Sequence, residues 1–210
     1  MNRVALEKQQ PMTKLSRIRS VIAYQLTLPI VQLLARTPIT PSALTWIGFL
    51  ITAGAAALII TKHLLAAGFV VLLAGFFDTL DGALARHINK ETRFGAILDS
   101  TLDRLSEAVL LIGLLVLYAL EQSFPQLVLV SVALVSSQLV SYIRAKAEAL
   151  GLECTVGLFT RPERVVVLAL GLLLSQFAYA LITALAIIAV FSFITVVQRL
   201  VYVWQQTKSK

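Results

Sequence analysis

The sequence FFDTLDGALARHINKETRFGAILDSTLDRLSE (residues 76–107) brings four aspartates into a chain that is otherwise strongly apolar. The 210 residues are 58% hydrophobic and only 14% charged. Their mean hydropathy of +0.85 lies outside the usual range of soluble domains. The composition therefore predicts an integral membrane protein built of helices, in which Asp78, Asp81, Asp99 and Asp103 need an explanation of their own.

Six transmembrane helices fit the apolar segments, because a helix crosses the hydrocarbon with about 20 apolar residues. The segments 64–77 and 109–120 are each too short to span alone, and they can lengthen only toward each other, into the quoted sequence. The aspartates are therefore expected at membrane depth or at its edge. The other four spans are residues 44–60, residues 126–143 and two within 165–197, divided near 175–177.

The basic residues predict the orientation, since they concentrate on the cytoplasmic side of a membrane. With the N-terminus inside, every Lys and Arg except Lys62 falls on the cytoplasmic side or at that end of a helix. The net charge of +7 then reflects topology and attraction to anionic lipids. Residues 21–35, interrupted by Pro29, predict an amphipathic interfacial helix on the cytoplasmic leaflet. The predicted division is an N-terminal segment 1–39, a six-helix domain 40–206 and a tail 207–210.

The spacing of the four aspartates predicts a metal site. Asp78 and Asp81 are spaced i, i+3, and Asp99 and Asp103 are spaced i, i+4, so each pair shares one helix face. A short turn between the helices would make the two pairs face each other. Clustered carboxylates repel unless cations lie among them, and oxygen ligands suit hard divalent ions. Two divalent cations, with magnesium favoured over manganese, are the simplest resolution, and paired metals promote displacement at phosphorus.

The same residues resemble the signature of the CDP-alcohol phosphotransferase family, D-x2-D-G-x2-A-R-x8-G-x3-D-x3-D, with every fixed position matched between Asp78 and Asp103. The resemblance implies metal-dependent transfer of a substituted phosphate from a CDP-linked donor to an alcohol, with release of CMP. It implies that Asp78, Asp81 and Asp99 bind metal and that Asp103 is both a ligand and the catalytic base. The donor-binding residues that it implies are Pro41, Ser42, Ala43, Leu44, Asp78, Gly82, Ala85, Arg86 and Thr92.

The second half of the chain is similar to the phosphatidylinositol-phosphate synthase subfamily, in the sequences SYIRAKAEALG (141–151), RPERVVVL (161–168) and VVQRLVYVW (196–204). This resemblance implies CDP-diacylglycerol as donor, inositol phosphate as acceptor, and a homodimer. A dianionic acceptor needs a cationic pocket separate from the metals. The residues implied to bind the acceptor's phosphate are Ser141, Arg144, Arg161, Arg164 and Arg199.

Other interpretations are compatible with parts of this pattern. A phosphatidylglycerophosphate synthase shares the signature and also uses a phosphorylated acceptor. An ion or proton transporter also carries aspartates at membrane depth, but its path needs polar groups across the whole bilayer, and here the opposite halves of the helices are apolar. Each arginine taken alone can be a cytoplasmic anchor. Arg104 and Glu107 are interpreted as parts of a buried charge network.

Overall fold

A computed structural model of the chain describes residues 28–88 and 92–208. Within these residues all regular secondary structure is helical, which confirms the all-helical part of the predicted fold class. Short turns join most of the helices. The helices are α1 (residues 28–35), α2 (Pro41–Ile60), α3 (Leu64–His87), α4 (Arg93–Leu120), α5 (Phe124–Ala149), α6 (Arg161–Leu173) and α7 (Ala180–Lys208).

Most of the aspartate-rich sequence, residues 76–107, is helical among the residues that the structure describes. Helix α3 continues past the apolar segment to His87, and α4 begins at Arg93, well before its apolar half. Thr92 ends the connection by accepting a hydrogen bond on Oγ1 from the backbone N–H of Gly95 (2.9 Å), an N-cap that starts α4. The prediction that both helices lengthen into the aspartate-rich sequence is therefore confirmed.

Among the described residues, four helices, α2, α3, α5 and α7, are long and apolar enough to cross a membrane. Helix α4 has 28 residues, but its first half carries Asp99, Asp103, Arg104 and Glu107. Helix α6 has only 13 residues. It ends at Leu173, and a turn separates it from the start of α7. The predicted division near residues 175–177 is thus present, while the count of six spans stays a prediction.

The predicted interfacial helix lies only partly within the described residues. Residues 21–27 are outside them, and residues 28–35 are helical. Val31 is buried in a small cluster with Leu44 of α2 and Leu84 of α3. The end of this segment therefore packs against the helical bundle as well as exposing apolar residues.

The six helices from α2 to α7 form a closed ring in which each helix packs against two others. The order around the ring is α2, α3, α6, α7, α5 and α4, and α4 closes it by packing against α2. Leu111, Leu114, Leu172, Leu185 and Ile188 are among the apolar side chains that fill the core. Helices α4 and α6 are not neighbours in the ring, so side chains that join them reach across its interior.

Close packing of α6 on α7 gives a stability prediction. A Cβ added at Gly171 would lie 2.5 Å from Cβ of Ala184, in the interface of the two helices. We expect Gly171→Ala to lower the free energy of unfolding by about 1–3 kcal/mol, the usual cost of overpacking. Gly54→Ala is the matched control, since nothing lies within 4 Å of its added Cβ. Thermal unfolding in detergent measures both, and equal melting temperatures would contradict this packing.

Candidate metal and substrate site

Three of the four aspartates converge at the end of α3 and the start of α4. Asp78, Asp99 and Asp103 each offer a carboxylate oxygen, and these oxygens lie within 4.8 Å of one another. All three side chains are half-buried. Asp81 lies outside this set, one turn further along α3, and is almost fully buried. The carboxylates of the two helices therefore face each other as the sequence predicts, with Asp81 slightly apart.

The residues present fit a divalent cation. The converging ligand atoms are all carboxylate oxygens, which magnesium and manganese prefer. In addition, Oδ2 of Asp81 is buried and has no hydrogen-bond partner among the described residues. A buried acceptor without a donor is unfavourable, and a cation would satisfy it. Asp78, Asp99 and Asp103 can hold one ion, and Asp81 lines the same cavity as Asp99.

Arg161, the first residue of α6, reaches into the carboxylate cluster. Its Nη1 lies 2.6 Å from Oδ1 of Asp103 and 3.1 Å from Oδ2 of Asp78. Its Nη2 donates a longer hydrogen bond to Oδ1 of Asp78, at 3.5 Å. A capping box formed by Thr160 and Glu163 fixes the start of α6, and with it the backbone of Arg161.

A cavity of about 510 Å³ opens on one side of the aspartates. Asp81 and Asp99 line this cavity. Gly82 and Ala85 also line it, and these small residues leave space beside the backbone of α3. Ala43, Leu44 and Asp78, which the sequence also predicts to bind the donor, do not line it. The predicted donor-binding residues that do line it are Pro41, Ser42, Gly82, Ala85, Arg86 and Thr92.

A second cavity, of about 600 Å³, meets the cluster at Asp103. It lies at the N-terminus of α6, where Thr160 and Pro162 contribute to its wall. Backbone N–H groups at such a terminus favour an anion. All five residues predicted to bind the acceptor's phosphate line this cavity, namely Ser141, Arg144, Arg161, Arg164 and Arg199.

The arginines of the second cavity have different partners. Arg164 is only 1% exposed, and it donates from Nε and Nη2 to the two oxygens of Glu107, at 2.5 and 2.7 Å. Its Nη1 donates to the carbonyl of Phe159 at 3.3 Å. The buried Arg164 thus has every guanidinium nitrogen engaged within the protein, and its predicted contact with phosphate stays a prediction.

Arg199 and Arg144 differ from each other in burial and in their hydrogen-bond partners. Arg199 is buried on α7 and donates to the carbonyls of Val156 (2.9 Å) and Val140. Arg144 is half-exposed and pairs with Glu148 one turn along α5 at 2.8 Å, an exposed pair of little energetic weight. Of the four arginines predicted to bind the acceptor's phosphate, Arg144 and Arg161 are therefore the two that are not fully buried.

The partner of Glu107 was not predicted from the sequence. It lies one turn beyond Asp103 on α4, and its bidentate pair with Arg164 crosses the interior of the ring to α6. The spacing of Asp103 and Glu107, i and i+4, was the available signal. It puts both carboxylates on one face of α4 but does not say which arginine they meet.

Clustered carboxylates beside two cavities, in a bundle of apolar helices, are typical of a membrane enzyme that uses divalent metal ions. A family profile described as CDP-alcohol phosphatidyltransferase matches residues 38–204, and the chain belongs to this enzyme family.

Two relatives extend the comparison. The phosphatidylinositol phosphate synthase of Mycobacterium tuberculosis is 40% identical over 200 residues, 92% of this chain and 92% of that protein. The archaetidylinositol phosphate synthase of Methanothermobacter thermautotrophicus is 38% identical over 167 residues, 79% of this chain and 83% of that protein.

Solved structures of the mycobacterial synthase have the same fold. Its crystal structure with CDP-DAG bound has a TM-score of 0.81 at 39% identity, covering 86% of this chain and 94% of that one. Its complex with manganese and citrate has a TM-score of 0.80 at 39% identity, covering 85% and 88%. The similarity in fold therefore extends to structures that hold a nucleotide lipid or a divalent metal.

Proposed function

We propose that this protein transfers a phosphatidyl group from CDP-diacylglycerol to inositol phosphate, giving phosphatidylinositol phosphate and CMP. The observation that carries the proposal is a pair of cavities that reach the aspartates at different residues, one at Asp81 and Asp99 and the other at Asp103. One is lined by residues of the CDP-alcohol signature, and the other by arginines. The names of the relatives, synthases of phosphatidylinositol phosphate and archaetidylinositol phosphate, support the choice of acceptor.

The donor occupies the first cavity in this proposal. Gly82 and Ala85 let its nucleotide approach the backbone of α3, while Arg86 binds a phosphate. Asp78, Asp81, Asp99 and Asp103 hold two divalent cations, preferably magnesium. When bound, such cations neutralise the pyrophosphate and stabilise the leaving CMP. The two remaining predicted donor residues, Ala43 and Leu44, shape the start of α2 and keep Pro41 and Ser42 at the cavity wall.

The acceptor's phosphate lies in the second cavity. Arg144, Arg161 and the hydroxyl of Ser141 contact it, and the N-terminus of α6 adds its partial positive charge. Arg164 and Arg199, whose hydrogen bonds go to Glu107 and to backbone carbonyls, hold the cavity walls and add positive potential. This arrangement leaves the inositol hydroxyl at the end of the cavity nearest Asp103.

Asp103 removes the proton from that hydroxyl. The acceptor oxygen then forms a bond to the β-phosphorus of the donor, the bond from this phosphorus to the oxygen that bridges to CMP breaks, and CMP leaves. Asp103 is the carboxylate of the cluster that lines the acceptor cavity. A base must lie within hydrogen-bond reach of the proton that it removes, and Asp103 meets this condition better than Asp99 or Asp78.

We therefore expect Asp103→Asn to separate binding from chemistry. The variant should bind the CDP-linked donor in the presence of magnesium, as followed by calorimetry, and should turn over at least about a hundredfold more slowly, as expected for loss of a general base. Full recovery of the rate at higher metal concentration would contradict the role and make Asp103 a metal ligand only.

The acceptor is tested by CMP release from CDP-diacylglycerol with inositol phosphate, free inositol or glycerol phosphate. Only inositol phosphate should support rapid release. Arg144→Ala should raise its apparent KM by about tenfold or more, because one charge-assisted contact contributes about 1.5–3 kcal/mol. The KM of the donor should change little in that variant. Equal use of glycerol phosphate would favour a phosphatidylglycerophosphate synthase instead.

The membrane arrangement is part of the same proposal. Helices α2 to α7 form six spans of a multi-pass protein of the cytoplasmic membrane, the segment before Pro41 lies on the cytoplasmic leaflet, and both cavities open to the cytoplasm. The basic residues at this end of the bundle support that orientation. Two copies form a homodimer, as the family resemblance implies.

A further inference from the structure

Arg161 belongs to two sites at once. Its guanidinium contacts Asp78 and Asp103 in the carboxylate cluster, and the same residue lines the cavity that we assign to the acceptor's phosphate. Its Nε is buried and has no hydrogen-bond partner among the described residues. The side chain therefore has a partly unsatisfied donor group and an open cavity beside it.

A divalent cation and Arg161 compete for the same oxygens. Both oxygens of Asp78 and Oδ1 of Asp103 lie within 3.5 Å of the guanidinium. These carboxylates also belong to the set that can ligate metal. A cation bound to these oxygens would lie close to the positively charged guanidinium of Arg161. The repulsion between the two positive charges disfavours the present position of Arg161.

The neighbouring arginine keeps α6 in place while Arg161 moves. Arg164 is one turn further along α6 and is fixed to Glu107 of α4 by two buried hydrogen bonds. The capping box of Thr160 and Glu163 holds the first turn of α6. Displacement of Arg161 is thus a change of side-chain rotamer, which long side chains in partly exposed sites make readily.

We infer that Arg161 is shared between the carboxylate cluster and the acceptor cavity, and that metal binding displaces its guanidinium toward the acceptor's phosphate. The inference rests on the proposed function for the identity of the acceptor. It predicts that bound metal tightens the binding of the acceptor and that bound acceptor tightens the binding of metal. Linkage requires the effect to be reciprocal: if metal tightens acceptor binding, the acceptor tightens metal binding by the same factor. The acceptor site is then completed only in a metal-loaded enzyme.

The test is a titration of the full-length protein in detergent with Mn²⁺, with free Mn²⁺ measured by electron paramagnetic resonance. Removing the competing guanidinium in Arg161→Ala should tighten Mn²⁺ binding by about tenfold or more, as expected for a charge-assisted contact. Arg104→Ala is the matched control, because Arg104 lines the same cavity and its loss removes one nearby positive charge. It should change Mn²⁺ affinity by less than about threefold, the small effect of a more distant charge.

The wild-type protein and a conservative variant supply a second readout. Saturating inositol phosphate should tighten Mn²⁺ binding to the wild type by at least about fivefold, the lower end of typical coupling between sites, and should have no such effect in Arg161→Ala. Arg161→Lys keeps the charge and should retain an affinity for Mn²⁺ close to that of the wild type. The effect of inositol phosphate on the wild type and the Mn²⁺ affinity of Arg161→Lys decide the question even if Arg161→Ala fails to fold.

Unchanged or weaker Mn²⁺ binding in Arg161→Ala, or no effect of inositol phosphate on the wild type, would overturn the inference. Its failure is distinguishable from failure of the proposed function, which is read from CMP release. If inositol phosphate drives CMP release and Arg161→Ala binds Mn²⁺ no more tightly, the function holds and the sharing of Arg161 does not.

Discussion

Replacing Asp99 by Asn is expected to reduce CMP release at least about a hundredfold at saturating magnesium, the usual effect of losing one preorganised electrostatic contact to a transition state. The substitution keeps the shape of the side chain but removes the charge of a proposed metal ligand, one of whose carboxylate oxygens lies within 4.8 Å of an oxygen of Asp78 and of Asp103. Asp78→Asn and Asp81→Asn should have the same effect. Steady-state CMP release from CDP-diacylglycerol with inositol phosphate measures it.

Folding must be separated from chemistry in these variants. Removing a negative charge from a crowded carboxylate cluster relieves repulsion, so the melting temperature of Asp81→Asn and Asp99→Asn in detergent without metal should be equal to or above that of the wild type. Asp78→Asn also loses the ion pair with Arg161, so its melting temperature can be lower. Glu121→Gln is the control, because Glu121 pairs with Lys62 at the opposite end of the bundle and should leave turnover unchanged. Substantial turnover in two of the three Asp→Asn variants would contradict the metal assignment.

The second large effect concerns stability. We expect Glu107→Ala to lower the free energy of unfolding by about 3–5 kcal/mol, because it leaves the guanidinium of Arg164 buried without its partner. Arg164 is 1% exposed and donates both Nε and Nη2 to Glu107. The pair also joins α4 to α6, two helices that are not adjacent in the ring. Thermal or denaturant unfolding in detergent measures the change.

Two further variants identify the cause. Glu148→Ala breaks an exposed pair with Arg144 and should change stability by less than about 1 kcal/mol. The double variant Glu107→Leu with Arg164→Met should be more stable than Glu107→Ala, since it removes both buried charges. If Glu107→Ala is as mild as Glu148→Ala, the buried pair does not hold α4 to α6.

Much of the site followed from local patterns in the sequence. The lengths of the apolar segments required α3 and α4 to continue into the aspartate-rich sequence, and helical spacing put Asp99 and Asp103 on one face. Both consequences are found in the fold. The resemblance to the CDP-alcohol family predicted the donor-binding and acceptor-binding residues, and most of these residues line the two cavities.

What the sequence could not provide was the partner of each arginine. Arg161 and Arg164 lie three residues apart and look equivalent as cytoplasmic basic residues. In the fold, one contacts the half-buried aspartates and the other is fully buried against Glu107. That difference depends on the order of helices around the ring, which arises from packing between distant segments.

The central claim, that two cavities on one carboxylate cluster join a lipid donor to a phosphorylated acceptor, is tested most directly by following the acceptor's own phosphate. Purified protein is incubated with CDP-diacylglycerol and ³²P-labelled inositol phosphate, and the label in the organic phase is compared with the CMP released. We expect one labelled lipid per CMP, no product in the presence of EDTA, and recovery with excess magnesium or manganese. CMP release without label in the lipid, or label incorporated only from glycerol phosphate, would contradict it.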